Sequence, residues 1–190
     1  FLDEINPEDD NFVVLHLKGS HFNYENRYPE SFAKEHGLRT DGGDVECYRN
    51  SIRYTDHVLE RIYSYAKQKL NLQAMIYFSD HGGIPDMRRS PRFLGFKMVR
   101  IPLWTYLSDE YRKQHADIAE ALTANSDRYF TNDLVYELVC GILDVRSNRY
   151  DTTQSIASTS YKYKRNELLT YDGRIRIEDD DLDTNPKTMQ

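Results

Sequence analysis

A short apolar segment that ends in an acid and an imidazole constrains this chain more than any other feature. Residues 74–78 read AMIYF, which is typical of a buried strand, and the sequence SDHGG follows immediately. Successive side chains in a strand point to opposite faces, so Asp80 and His81 can bind one ion only if the strand has already ended. The two glycines favour such an end. A carboxylate beside an imidazole suits zinc or manganese, and a capping acid beside a surface histidine is the alternative interpretation.

A second apolar run lies upstream, and a helical pattern separates the two. Residues 12–17 (FVVLHL) predict another buried strand, and the loop sequence KGSH follows it with His21 at its end. Residues 46–70 repeat apolar side chains on one helical face and predict a long amphipathic helix that ends near Asn71. Strand, helix and strand form a βαβ unit, whose parallel strands end at one edge of the sheet. We therefore expect His21 to lie close to the Asp80–His81 pair.

The remaining sequence predicts further helices and strands. Their order indicates an α/β fold. We expect residues 1–177 to fold and the acidic and polar residues 178–190 to be disordered. The predicted elements are a loop over 84–97, a strand over 99–107 with Pro102 at an edge or bulge, a helix over 109–124 capped by Ser108, a helix over 134–143 capped by residues 131–133, and a hairpin over 168–177 that turns at Asp172 and Gly173.

The composition supports a folded chain and excludes some functions. The 190 residues are 39% hydrophobic and 13% aromatic, which is typical of a domain that buries a core. The formal net charge of −6 argues against nucleic-acid binding, because that function needs clustered lysine and arginine. No apolar run is long enough to span a bilayer. The chain begins at Phe1 without an initiator methionine, so we expect it to be a segment of a longer protein.

Other side chains have competing interpretations. Arg88, Arg89 and Arg92 could clamp an anion, or they could belong to a solvated loop. His21 could bind a metal or a phosphate oxygen, and a loop histidine without a task is the alternative. The other assignments are His16 and Cys140 in the core, His57 and His115 as surface or packing residues on helices, His36 with no role, and Cys47 as a free thiol or half of a disulfide.

Six sequence blocks together resemble the C-terminal half of phosphoethanolamine transferases, in the sulfatase branch of the alkaline phosphatase superfamily. Between Asn11 and about Tyr150 they are, in order, VVLHLKGSH, NRYPESF, YRNSIRYTDHVLERI, MIYFSDHGG, RIPLWTYLSDEY and TNDLVYELVCGILDV. The resemblance implies that residues 1–177 are the C-terminal part of a sulfatase-like catalytic domain. It implies an alkaline phosphatase-like α/β/α sandwich with a mixed, mainly parallel sheet, a C-terminal hairpin and a zinc site at the sheet edge.

The resemblance also assigns roles to individual residues. Asp80 and His81 match the pair that binds the nucleophile-activating metal, which would be zinc or another divalent cation such as manganese. His21 matches the histidine that contacts the phosphate or a second metal. The family's threonine nucleophile and first carboxylate ligand lie upstream of the GSH motif, so we expect neither residue in this chain.

The sequence departs from the family pattern at two places after the SDHG motif. Gly83 stands where the family usually has a glutamate, and the downstream His-Gly motif is not evident. Arg92 or Lys97 could take its place as an anion-binding residue. These departures leave the second-metal or acceptor site as the least defined part of the resemblance.

The activity that the resemblance implies is a two-step transfer. A threonine attacks the phosphorus of phosphatidylethanolamine, diacylglycerol leaves, and phosphoethanolamine passes to a lipid or glycan acceptor of the cell envelope. Such proteins are anchored in the inner membrane by N-terminal helices, with this domain in the periplasm, and this segment alone is expected to be inactive. The alternatives are a sulfatase or phosphodiesterase of the same superfamily, and a non-catalytic domain that binds an anionic glycan or lipid head group.

Overall fold

The computed structural model describes residues 1–85, 96–170 and 175–176 of the chain, which divide into two compact units. The first unit contains residues 1–72 together with Pro85. The second contains residues 73–84 and the described residues from 96 onward. No helix in the described part combines the length and the apolar composition needed to cross a bilayer.

A long helix organises the first unit. Helix α2 (Gly43–Lys69) confirms the helix predicted over 46–70, with an earlier start. It ends because Asn71 adopts a left-handed conformation with φ 49°, which asparagine tolerates better than most residues. Helix α1 (Glu30–Glu35) precedes it, and short 3-10 turns occupy Leu2–Glu4 and Tyr24–Asn26.

Aromatic packing and a buried amide hold α1 and its following loop against α2. The Phe32 ring of α1 is buried, with ring centroids 5.0 Å from Tyr54 and 5.2 Å from His57 on α2. The fully buried Asn50 of α2 donates from Nδ2 to the Arg39 carbonyl oxygen at 2.6 Å. The buried Cys47 is a free thiol. Edge-on ring contacts and a buried hydrogen bond give this unit a defined interior despite its small number of elements.

The strand predicted over residues 12–17 is wrong. This segment has no regular secondary structure, and Phe12 and Val14 are 65% and 75% exposed. His16 is exposed as well, so its predicted place in the core is also wrong. A strand needs adjacent backbone to satisfy its N–H and C=O groups, and no described segment forms a ladder with residues 12–17. Apolar, β-branched composition alone therefore did not produce a strand here.

The second unit is built on a two-stranded antiparallel ladder. Strand β1 (Ala74–Phe78) has the predicted bounds and pairs with β2 (Leu103–Leu107), so that Ala74 faces Leu107 and Phe78 faces Leu103. The expected parallel pairing of β1 with residues 12–17 is absent from the described residues. The strand predicted over 99–107 is shorter, because helix α3 (Phe96–Val99) and Pro102, which has no N–H to donate, come first.

Three helices follow β2, and the first predicted helix is divided. Helices α4 (Asp109–Gln114) and α5 (Ala116–Ala124) replace the single helix over 109–124, because His115 is non-helical with φ −126° and ψ 57°. Tyr111 and Ile118 belong to the same core on either side of this break, as their spacing of two helical turns would also place them in an unbroken helix. The Ser108 cap is confirmed, since its Oγ accepts the Tyr111 N–H at 3.0 Å.

The last elements close the core of the second unit. A 3-10 turn (Asn132–Leu134) leads into α6 (Val135–Ile142), where one helix over 134–143 was predicted. Strands β3 (Leu169–Thr170) and β4 (Ile175–Arg176) pair antiparallel, which confirms the hairpin. Its predicted turn and the predicted tail over 178–190 lie outside the described residues. The core residues are Leu107, Tyr111, Ile118, Ala119, Leu134, Leu138, Ile142, Ile156, Ala157, Tyr161 and Leu168.

Close packing on α6 predicts the effect of adding one methyl group. Gly141 faces Ser155 Oγ and Ala157, whose atoms would lie 2.7 and 2.8 Å from an added Cβ, and both neighbours are buried. Gly141→Ala should therefore destabilise the fold by about 1–3 kcal/mol through overpacking, although alanine favours a helix by roughly 0.5–1 kcal/mol over glycine. Urea unfolding measures this change. The exposed Glu120→Ala on α5 is the control and should change stability little, and an unchanged or stabilised Gly141→Ala protein would contradict the expectation.

Two buried tyrosines predict a loss of stability at alkaline pH. Burial raises the pKa of Tyr111 and of Tyr161 to about 12, above the unfolded value of about 10. A raised pKa contributes stability that is fully present below pH ~10 and is lost as the pH rises toward ~12. The free energy of unfolding, measured by denaturant titration across this range, should fall. The double variant Tyr111→Phe, Tyr161→Phe should flatten that dependence, and a variant with the wild-type pH profile would refute this cause.

Candidate metal-binding turn

The turn after β1 brings an acid and an imidazole together on one side of the chain. The strand ends at Phe78, the Ser79 hydroxyl donates to the His81 carbonyl oxygen at 2.8 Å, and Asp80 Oδ1 accepts the His81 N–H at 2.9 Å. These short-range hydrogen bonds replace the alternation of a strand, in which neighbouring side chains point to opposite faces. As a result, Asp80 Oδ2 and His81 Nε2 lie 3.6 Å apart.

The hydrogen bond of the His81 ring determines which nitrogen can bind a cation. Nδ1 lies 2.7 Å from the Gly82 carbonyl oxygen, which can only accept, so Nδ1 carries the proton. In the neutral ring Nε2 then holds the lone pair that a metal requires. Histidine ligands in proteins commonly donate their other N–H to a backbone carbonyl in this way, which fixes the ring orientation.

The distance between the two side-chain atoms fits shared coordination of zinc. Two ligands at about 2.0–2.2 Å from a tetrahedral zinc lie about 3.3–3.6 Å from each other. The observed separation of Asp80 Oδ2 and His81 Nε2 is 3.6 Å. The Asp80 side chain is 87% exposed and the His81 side chain 34% exposed, so the pair can be reached from solvent. The chemistry and spacing of this pair therefore fit a zinc ion.

The pair supplies two of the four ligands that zinc normally takes. No group of three or more histidine, cysteine, aspartate or glutamate residues arranged to hold a metal occurs in the described part of the chain. A structural zinc site is closed by four protein ligands, whereas a catalytic site keeps a position open. If Asp80 and His81 bind a metal, they form a partial ligand set, and we expect a weak metal affinity when they act alone.

Three hydrogen bonds with residues of other elements hold the backbone of this turn. Asn132, in the 3-10 turn before α6, donates from Nδ2 to the carbonyl oxygens of Ser79 at 2.9 Å and Asp80 at 3.1 Å. The Gly82 N–H donates to the Met98 carbonyl oxygen at the end of α3. The local sequence predicts only a helix-capping role for Asn132, because nothing nearby indicates a contact with residues more than 50 positions away.

His21 belongs to the first unit and Asp80–His81 to the second. His21 is exposed, at the end of a loop in which Gly19 has φ 52°, and its Nδ1 lies 3.4 Å from the Phe22 carbonyl oxygen. The strand that was expected to carry His21 to the edge of β1 does not form. The convergence of His21 with the Asp80–His81 pair therefore stays a prediction.

The predicted anion-binding residues fall on the part of the chain that is not described. Arg88, Arg89 and Arg92 lie outside the described residues, as does most of the predicted loop over 84–97. The backbone of Lys97 belongs to α3, and its side chain is outside the described part. Their proposed contacts with an anion stay predictions.

A groove in the first unit is lined by two histidines to which the sequence assigns no catalytic or binding role. Its volume is about 530 Å³, and His36 and His57 line it beside Phe32, with the two imidazole centroids 6.3 Å apart. His36 Nδ1 bonds to the Phe32 carbonyl oxygen at 3.0 Å, and the Phe32 ring packs on both imidazoles. These contacts confirm His57 as a packing residue.

The chain matches the family model described as Sulfatase over residues 1–139. This match covers more than half of the 190 residues, so the chain belongs to the sulfatase family. Membership in the family agrees with the resemblance that the sequence blocks carry.

Within this family, the similar curated proteins are phosphoethanolamine transferases. The Kdo(2)-lipid A phosphoethanolamine 7''-transferase of Escherichia coli (strain K12) is 33% identical over 124 residues, which cover 59% of this chain and 22% of that protein. Phosphoethanolamine transferase EptC of Escherichia coli (strain K12) is 25% identical over 192 residues, which cover 87% of this chain and 33% of that protein. The chain thus spans a third or less of these relatives, and the predicted resemblance to phosphoethanolamine transferases is confirmed.

Solved structures confirm the fold class. The C-terminal periplasmic domain of EptC from Escherichia coli superposes with a TM-score of 0.67 at 24% identity, covering 92% of this chain and 53% of that domain. The zinc complex of the same domain gives a TM-score of 0.62 at 25% identity, covering 81% of this chain and 49% of that domain. The chain therefore has the α/β fold of an alkaline phosphatase-like periplasmic domain, which agrees with the expected extracytoplasmic location.

The contact of Asn132 with the turn yields a testable prediction. Asn132→Ala removes two hydrogen bonds, each worth about 0.5–1.5 kcal/mol, and should release the turn that carries Asp80 and His81. We expect zinc affinity, measured by calorimetry on the full-length protein, to fall by about 5–30-fold. Amide hydrogen exchange at His81 should also become faster.

A matched control shows whether the effect is specific to Asn132 or follows from replacing any asparagine in a 3-10 turn. Asn166 is exposed in another 3-10 turn, so Asn166→Ala should leave zinc affinity and exchange unchanged. Equal zinc affinity in both variants and the wild type would show that Asn132 does not position the metal ligands.

Proposed function

We propose that this chain is part of a metal-dependent phosphoethanolamine transferase, which moves phosphoethanolamine from phosphatidylethanolamine to a lipid or glycan acceptor of the cell envelope. The observation that carries the proposal is the 3.6 Å separation of Asp80 Oδ2 and His81 Nε2, with the second imidazole nitrogen fixed by the Gly82 carbonyl. Family membership and the named relatives support the same reaction class. The name of one relative includes lipid A as the acceptor. Between a lipid and a glycan acceptor, we therefore propose a lipid for this protein.

In this proposal, each residue of the turn has a defined task. Asp80 supplies an oxygen ligand and His81 a nitrogen ligand to one zinc ion. The Gly82 carbonyl keeps Nε2 of His81 directed at that ion by accepting the Nδ1 proton. A bound zinc supplies Lewis-acid chemistry, which lowers the pKa of a hydroxyl nucleophile and balances charge on phosphoryl oxygens.

The proposal gives His21 a role at the phosphate and places the nucleophile elsewhere. If Nδ1 of His21 donates to the Phe22 carbonyl oxygen, Nε2 can bind a second metal when neutral or donate to a phosphate oxygen when protonated. The nucleophile is a threonine upstream of the GSH motif, as the family resemblance implies. The donor lipid and a membrane anchor belong to the whole protein and are parts of the proposal.

Substitution of the acid ligand tests catalysis in the full-length protein. Asp80→Asn keeps the side-chain volume but removes the negative charge that a metal ligand provides, so transfer of labelled phosphoethanolamine should fall by roughly 100-fold or more. The exposed Asp127→Asn in the same unit is the control and should keep wild-type transfer. Zinc content, measured in parallel, should fall only in Asp80→Asn.

The same assay distinguishes the alternative functions. A hydrolase of the superfamily would release product into water without labelling an acceptor. A domain that only binds an anion would keep acceptor binding in Asp80→Asn and would show no transfer in the wild type. Either outcome, or full transfer by Asp80→Asn, would contradict the proposed function.

A further inference from the structure

A small cavity in the first unit carries positive charge. It has a volume of about 190 Å³ and lies between the loop that starts at Lys18, the turn at Tyr24–Asn26, and α2. Lys18, Arg27 and the Asn26 amide line it beside Tyr54 and Thr55 of α2. Among the described residues, His21, Asp80 and His81 do not line this cavity.

The cations of the cavity have no acidic partner in the part of the chain that the structure describes. No carboxylate there lines the cavity or forms an ion pair with Lys18 or Arg27. Glu25, next to the cavity in sequence, instead accepts from the Asn26 amide at 3.4 Å. Two cations around one concave space attract an anion, and no described side chain neutralises them.

Arg27 gives the second indication of a ligand. Its Nε is buried, and it has no hydrogen-bond partner among the described residues. Buried donors of charged groups are almost always paired, because desolvation without a partner is costly. Arg27 also lines the cavity, and its guanidinium carries further N–H donors that an oxyanion could contact.

The hydrogen-bonding groups of the cavity select the kind of anion. The Thr55 hydroxyl already donates to the Ser51 carbonyl oxygen at 2.9 Å, which leaves an ammonium, a guanidinium, an amide and the Tyr54 hydroxyl as the side-chain donors around the cavity. Such a set fits the several oxygens of a phosphate group, and arginine adds a planar fork. The volume of about 190 Å³ is below the roughly 300–1,000 Å³ of a drug-sized pocket. One phosphate with a short substituent fits, and a whole lipid does not.

We propose that this cavity binds a single phosphate group through Lys18, Arg27 and the Asn26 amide. The anion site stands on the geometry of the first unit alone. The identity of the molecule that carries the phosphate rests on the proposed function, because a phospholipid head group and free phosphate present the same chemistry. Lys18 and His21 belong to one loop, so an anion held by Lys18 would also restrain the segment that carries His21.

Calorimetry with inorganic phosphate tests the site on full-length protein that has been treated with a chelator and dialysed. Lys18 is exposed, so Lys18→Gln leaves the interior intact and should weaken phosphate binding by at least about fivefold. Lys69→Gln, at the exposed end of α2, removes the same charge elsewhere and should bind phosphate like the wild type. Arg27→Lys keeps the charge without the fork and should also weaken binding.

A second probe identifies the source of the phosphate. Glycerophosphoethanolamine, titrated in the same way, should bind tighter than inorganic phosphate if the cavity takes a phospholipid head group, and more weakly if it takes the free ion. In both cases the difference between Lys18→Gln and Lys69→Gln supports the anion site. Absence of binding by both probes, or equal phosphate affinity in Lys18→Gln, Lys69→Gln and the wild type, overturns it.

The transferase proposal and the cavity proposal fail independently in these experiments. Phosphate binding is measured on metal-free protein and does not require Asp80, whereas transfer does. Loss of transfer in Asp80→Asn with intact phosphate binding would leave the cavity proposal standing. Wild-type transfer by Lys18→Gln, together with unchanged phosphate affinity, would remove the cavity proposal and leave the transferase proposal untouched.

Discussion

The antiparallel ladder between β1 and β2 determines where the acid and the imidazole of the second unit lie, because both follow the point at which the ladder ends. Pairing of Phe78 with Leu103 is the last register position of the ladder, and the backbone beyond it is released from strand geometry. Asp80 and His81 follow that point, where local hydrogen bonds rather than sheet alternation set side-chain directions. An acid and an imidazole can therefore approach within 3.6 Å, which two adjacent residues inside a strand could not do.

The turn gains its definition from contacts with elements distant in sequence. Asn132 donates to two of its carbonyl oxygens, and Met98 accepts from Gly82. These contacts satisfy polar backbone groups that leave the ladder at the strand end, and such groups are costly when unpaired. The same contacts hold the partial ligand set in one arrangement, so that a metal need not order it on binding.

The charged groups that line the cavity of the first unit differ in sign from the acid of the turn in the second unit. This cavity places two cations and an amide around a small space, and the buried Arg27 Nε has no hydrogen-bond partner among the described residues. In the second unit, an acid and a lone-pair nitrogen converge and attract a cation. The two units thus carry groups of opposite preference: cationic donors in the first, and an acid beside a lone-pair nitrogen in the second.

Much of the local structure could be predicted from the sequence. The bounds of β1, the Ser108 cap, the left-handed stop at Asn71 and the paired strands of the C-terminal hairpin all depend on neighbours close in the chain. The SDHGG motif also indicated that an acid and an imidazole follow the end of a strand, because glycine content and residue order report where a strand ends. The helical spacing of apolar residues likewise predicted α2, because that spacing depends only on residues close in sequence.

Tertiary structure alone decided the rest. Residues 12–17 have the composition of a strand, yet a strand needs a neighbouring backbone, and composition does not reveal whether one is present. The break at His115, the contact of Asn132 with the turn and the position of Lys18 and Arg27 around one cavity depend on contacts between residues far apart in sequence. The sequence determines which chemical groups the chain carries. Folding determines which of those groups come into contact, because such contacts join residues far apart in the sequence.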